Sequence, residues 1–223
     1  MYGEDFSKVD KYYLLISFFL VIVILFSTFY FLINIDLDAA YIKDDFLDGA
    51  WYENLDFREN NIKLFGLNKE YKLRYEIDDN YFSYLLIVTS NNINVLNSGN
   101  IESVVYNKIN LFLDRNIVIY ENSEIKGERS LKNGHKTYYI VFDGYDKSMK
   151  PYENVKIIAE TWNCGIKDKS IFCLGVSKIT DKSNNNFDLN TVNWVKIVGD
   201  INRTFGDEDY KIDDGLIFNI NCH

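Results

Sequence analysis

Proline is nearly missing from this chain, and histidine and cysteine are scarce. Its 223 residues include one Pro, two His and three Cys. A lone Pro151 excludes a Pro-rich stalk. The cysteines, Cys164, Cys173 and Cys222, form no CxxC pair, so a zinc site made from them with the terminal His223 lacks the usual spacing. No GxSxG, HExxH or P-loop sequence occurs, and no serine is marked as a partner for His135 or His223. Basic residues are outnumbered, 24 Lys and Arg against 33 Asp and Glu, for a net charge of −9. That balance argues against nucleic acid, whose backbone needs clustered Lys and Arg, and against anionic lipid headgroups as a ligand.

Charge of either sign is absent from one long stretch. No Asp, Glu, Lys or Arg lies between Lys11 and Asp36, and Tyr12–Ile33 reads YYLLISFFLVIVILFSTFYFLI. At 1.5 Å per residue this run spans ~33 Å as a helix, about the thickness of a hydrocarbon core. Its Leu, Ile, Val and Phe favour insertion by about 5 to 10 kcal/mol in sum. A soluble helix would carry a polar face, and this run has none. It is too long for the apolar part of a cleaved signal peptide, so an uncleaved anchor is expected. Lys8 and Lys11 flank it on one side and Lys43 on the other. The bias puts the N-terminus in the cytoplasm and the bulk of the chain outside a cell membrane crossed once.

Apolar residues make up 47% of the whole chain and aromatics 16%, and enough of them lie beyond Asp36 to bury a core there. Residues 1–11 are a short polar stub and 12–35 the transmembrane helix. Residues 36–60 look like a tether, in which Leu37, Ala40, Tyr41, Phe46 and Leu47 allow a short helix stopped by Gly49. From there to the end, 61–223, an all-β ectodomain is expected: an antiparallel, jelly-roll-like β-sandwich with a Cys-containing hairpin extension over about 155–223. Glu70–Ile77 alternates Tyr71, Leu73, Tyr75 and Ile77 with Lys72, Arg74 and Glu76, the period of a half-buried strand. Tyr84–Thr89 is continuously β-rich, as for a strand buried on both faces. Residues 101–113 fit a helix as well as two strands. Further strands are read at Ile93–Leu96, Asn116–Tyr120, Thr137–Phe142, Val155–Trp162, Ile171–Thr180, Trp194–Val198 and Leu216–Asn221. Turn residues at short intervals between them argue for a sandwich.

Four stretches, YKLRYEI, YLLIVT, INVLNSG and LKNGHKTYYIVFDG, succeed one another within residues 70–160. In this order they resemble the jelly-roll accessory modules, of pre-peptidase C-terminal type, on prokaryotic surface proteins. The lead His135-Lys136-Thr137 is two residues longer than in that pattern. The resemblance implies binding or spacing without catalysis.

Candidate sites are few. If Asp168-Lys169 turns a hairpin, Cys164 and Cys173 face each other at disulfide distance. Unpaired thiols, or a bond from either to Cys222, are the alternatives. Glu160 and Asp143 border apolar strands, though turn and edge positions in solvent are the default for both. Asp200, Asn202 and Thr204 start like a calcium loop, but Phe205 and Lys211 occupy its glycine and glutamate slots. Asp207, Asp209 and Asp213 are candidates for a looser calcium site, against a default of a solvated acidic loop. No other metal and no cofactor is expected. Asn202 heads the one glycosylation sequon. The expected function is a membrane-anchored surface binding or scaffolding module. Its lipid contact is through 12–35 and its partner, a protein or glycan, is met by the ectodomain. An envelope-spanning adaptor, like an archaellum or pilus stator component, and a surface hydrolase are the alternatives.

Overall fold

The computed structural model describes residues 5–33, 37–63, 68–77, 82–91, 101–148, 150–165, 169–179, 189–199 and 215–222. The chain forms two compact units. Met1–Asp36 and Ile62–Asn68 make the first, which contains helix α1, Asp5–Ile33. Its side chains are described from Tyr12 to Ser27, ~24 Å of helix, and all but Ile22 are exposed. Among the described residues no helix is long and apolar enough to cross a membrane, so the spanning reading of 12–35 rests on the sequence. The helix starts within the segment read as a stub.

Leu37–Asn61 and Lys69–His223 make the second unit, which is mostly antiparallel β-sheet in an open, sandwich-like arrangement. Among the described residues the strands are β1 (Tyr41–Ile42), β2 (Trp51–Glu53), β3 (Glu59–Lys63), β4 (Asn68–Ile77), β5 (Ser83–Ser90), β6 (Ile117–Ile119), β7 (Ile125–Ser130), β8 (Lys136–Asp146), β9 (Glu153–Cys164), β10 (Lys169–Lys178) and β11 (Ile220–Asn221). One nine-stranded sheet runs β2-β4-β5-β10-β9-β8-β6, with β3 added to β4 and β7 to β8; β1 and β11 pair separately. This corrects the double-sheet jelly roll. The long strands hydrogen-bond into a single sheet, and among the described residues only the short β1–β11 ribbon forms a second one.

The large sheet buries both faces, so its central strands alternate between two cores. Leu73, Tyr75, Leu85, Ile87, Ile158 and Ile171 point to one side. Leu86, Val88, Ile140, Ile157, Phe172 and Leu174 point to the other. Every residue of β5 is buried, as its unbroken apolar run predicts. Helix α2, Ile101–Phe112, covers the second core with Val105 and Ile109, which settles the ambiguous stretch as helix. Helix α3, Leu189–Val198, covers the first. It replaces the strand expected at Trp194–Val198, because Trp194, Ile197 and Val198 are spaced three and four apart and share a helical face. Gly175 in β10 lets α3 approach: a Cβ there would stand 2.6 Å from Ile197 Cγ2. The unit is thus mostly antiparallel β-sheet, as expected, with two helices packed on it that the all-β reading did not include.

Residues 36–60 are no tether where described. Leu37, Ala40, Ile42, Leu47 and Trp51 are buried, and β1 and β2 belong to the sheets. A single 3-10 turn, Asp44–Phe46, stands where the sequence allows a short helix. The expected C-terminal extension is central too, since β9 and β10 lie in mid-sheet. Strand β7, IKGERS, has no apolar alternation to announce it; it is a polar strand whose side chains are exposed or half-buried. Ile93–Leu96 lies outside the described residues.

Candidate functional site

The carboxylates that border apolar strands resolve first. Glu160 is not a solvated edge residue: it is fully buried in β9. Arg129 Nε donates to its Oε1 at 2.8 Å, Arg129 Nη2 donates to Oε2, and the Thr137 hydroxyl donates to Oε1. The same guanidinium donates to the Val198 carbonyl at 2.7 Å and lies 4.4 Å from the Phe218 ring centre. Both oxygens of Glu160 are thus taken by structural partners. Asp143 is half-exposed and accepts from Lys156 Nζ at 2.8 Å.

A groove of about 590 Å³ opens beside β4, lined by residues that include Tyr41, Glu53, Arg58, Asn60, Tyr71 and Tyr75. Arg58 Nη2 and Glu53 are 2.7 Å apart at its wall, and Asn60 donates to the Tyr71 hydroxyl at 2.8 Å. Its guanidinium, amide and hydroxyls suit a polar ligand. On the far edge, Tyr145 stacks on Tyr152 at 5.3 Å between ring centres and meets Tyr120 at 5.6 Å. Tyr120 and Tyr152 are exposed.

Among the described residues, a cluster of reactive side chains gathers elsewhere. Hairpin β7–β8 closes through Leu131–His135, with Gly134 at φ +83° as its left-handed residue. That places His135, half-buried, at the sheet's end. Cys164 ends β9, and β11, held against β1, brings Cys222 to it. The three ligand atoms, one imidazole nitrogen and two sulfurs, all lie within 4.8 Å of one another. Cys222 Sγ is 3.4 Å from His135 Nε2, and Cys164 Sγ donates to the Cys222 carbonyl at 3.1 Å. Burial pushes the Cys222 thiol up to about 12, and the neighbouring Cys164 adds to the rise. The Trp162 indole N–H acts in the opposite sense, favouring thiolate. That N–H is wholly buried and meets no acceptor at normal hydrogen-bond geometry. Cys222 and His135 have the composition of a nucleophile and its base, with the thiol raised by burial rather than depressed.

The Cys164–Cys173 disulfide is corrected. No disulfide joins any of the three cysteines. The β9–β10 register is offset by four residues from the one that a turn at Asp168-Lys169 would set, so Cys164 faces Lys169 and Cys173 faces Glu160. Cys173 is buried, and loss of water together with the Glu160 charge holds its thiol well up. Asn202, Asp207, Asp209, Asp213 and His223 lie outside the described residues. From sequence His135 has only a loop to its credit. It joins Cys222 across 87 positions and Cys164 joins Cys222 across 58, with no spacing motif to announce either. The hairpin signal Asn133-Gly134 locates His135 in a turn, and nothing local points to its partners. No protein family, curated protein or solved structure matches the chain.

Proposed function

We propose that this is a single-pass membrane protein whose sheet unit is a non-catalytic binding or scaffolding module held outside the cell. The observation that carries this reading is α1. Leu14, Phe18, Phe19, Leu25 and Phe26 are each more than half exposed, and no polar stripe interrupts its described surface. Such a surface needs a cover, and the uncharged run of ~33 Å fits a hydrocarbon core. Lys8 and Lys11 support a cytoplasmic N-terminus. The polar groove beside β4 and the exposed tyrosines offer the sheet unit surfaces for a partner. The full engagement of Glu160 by Arg129 and Thr137 leaves the best-buried carboxylate without a chemical task.

Membrane flotation and protease protection test the reading together. The full chain should float with membranes and resist an alkaline carbonate wash, and a chain starting at Leu37 should stay in the supernatant. Protease added to intact cells should remove Asp36–His223. Release of the full chain by carbonate would reject the anchor; digestion only after cell breakage would reject the orientation.

A further inference from the structure

We propose that His135, Cys164 and Cys222 bind a zinc ion. The inference is independent of the membrane reading, because all three residues belong to the sheet unit. Two thiolates and an imidazole are a soft donor set of the kind that holds zinc. Zn–S bonds of ~2.3 Å and a Zn–N bond of ~2.0–2.1 Å in a tetrahedron separate ligand atoms by about 3.5–3.8 Å. The Cys222 sulfur and the His135 nitrogen are already 3.4 Å apart, and no pair in the cluster exceeds 4.8 Å. Closure therefore needs movements of about 1 Å, within the reach of side-chain rotation.

Trp162 supplies a second, separate observation. Its Nε1–H is sealed from water and meets no acceptor at normal hydrogen-bond geometry, which costs free energy in a protein with a neutral thiol nearby. A zinc-bound thiolate is a far better acceptor, and buried donors aimed at metal-bound sulfur are a usual outer layer of such sites. Entry is from the His135 side, since the imidazole is half-buried while both sulfurs are buried. Three protein ligands leave one tetrahedral position for water or an added ligand. The reaction balances as one Zn²⁺ bound and two thiol protons released.

Anaerobic titration of the full chain in detergent with Co²⁺, then Zn²⁺, tests the site. The expected result is one Co²⁺ per chain with sulfur-to-cobalt charge-transfer absorption and intense tetrahedral visible bands, both abolished by Zn²⁺. Cys222→Ser and His135→Ala should each weaken binding at least tenfold, and Cys173→Ser should leave the spectrum unchanged. Trp162→Phe should weaken binding about tenfold, as expected for loss of an outer-layer donor. His135 sits in a surface turn, so its variant should keep the wild-type circular dichroism even if the buried cysteine variants do not fold. Absence of the charge-transfer band from folded, fully reduced protein would overturn the proposal. So would an equal loss of the band in Cys173→Ser, or a Cys164–Cys222 disulfide in the protein as isolated.

Discussion

Glu160 and Arg129 are both nearly sealed from water, so each charge depends on the other. The Glu160 side chain is 0% exposed and that of Arg129 10%. Removing one partner leaves an uncompensated buried charge, which costs about 3–5 kcal/mol. Arg129→Ala should therefore lower stability by that amount in urea denaturation, and replacing both by apolar residues should cost much less. Equal losses in the single and double variants would show that the pair does not behave as buried. Two protonated groups dictate a pH response. Unfolded cysteine ionises near about 8.5 and tyrosine near about 10. In the folded protein Cys222 and Tyr75 hold their protons to about 12, burial being the first cause for each. Above pH ~8.5 the unfolded state loses protons that the native state keeps. Their stabilisation is thus fully present below that pH and is lost as pH rises towards about 12. Metal-free protein should show a falling urea midpoint across this window, with a shallower fall in Cys222→Ser. A flat profile would contradict the assignment.

Helix α3 lies as close as it does because β10 carries no side chain at Gly175. A Cβ there would meet Ile197 Cγ2 at 2.6 Å and Ile158 Cγ2 at 2.8 Å, a clash of helix and neighbouring strand at once. Gly175→Ala should destabilise by about 1–3 kcal/mol, the usual cost of overpacking. Adding Ile197→Ala opens the space, so the double variant should be more stable than the sum of the two single losses predicts. Strict additivity in thermal denaturation would mean that α3 does not pack on Gly175. The β9–β10 hairpin shows the same dependence on register. An offset of four residues keeps each side chain on its face but exchanges its neighbour. Cys164 and Cys173 thus stay on the expected face and still do not meet.

The sheet unit begins at Leu37, well before the segment that reads as strands. A chain starting there keeps Ala40, Ile42 and the β1–β11 ribbon, along with the Asp38 carbonyl that accepts from buried Lys169 at 2.8 Å. It should be soluble, β-rich and cooperative on heating. A chain starting at Asp45 loses Leu37 and Ile42, each buried, at a cost of about 3–6 kcal/mol together. Its melting temperature should fall by roughly 10 °C or more. Identical melting of the two chains would place residues 37–44 outside the folded unit.

Local chemistry was legible in the sequence by itself. The uncharged apolar run from Tyr12 showed a helix without a polar face, and Tyr84–Thr89 showed a strand with two buried faces. Asn133-Gly134 announced a turn that Gly134 completes at positive φ. Each of these depends on side-chain period or backbone freedom within a few residues. Tertiary structure alone decided the single large sheet, the burial of Glu160, the helix at Leu189–Val198 and the meeting of His135 with Cys164 and Cys222. Period says which face a residue takes but not which strand lies beside it. Pairing is set by turn length and by packing between segments up to 180 positions apart, as when Asn221 donates to the Tyr41 hydroxyl beside the β1–β11 ribbon. The cluster's three ligands meet only because that ribbon closes, and no local pattern in the chain encodes its closure.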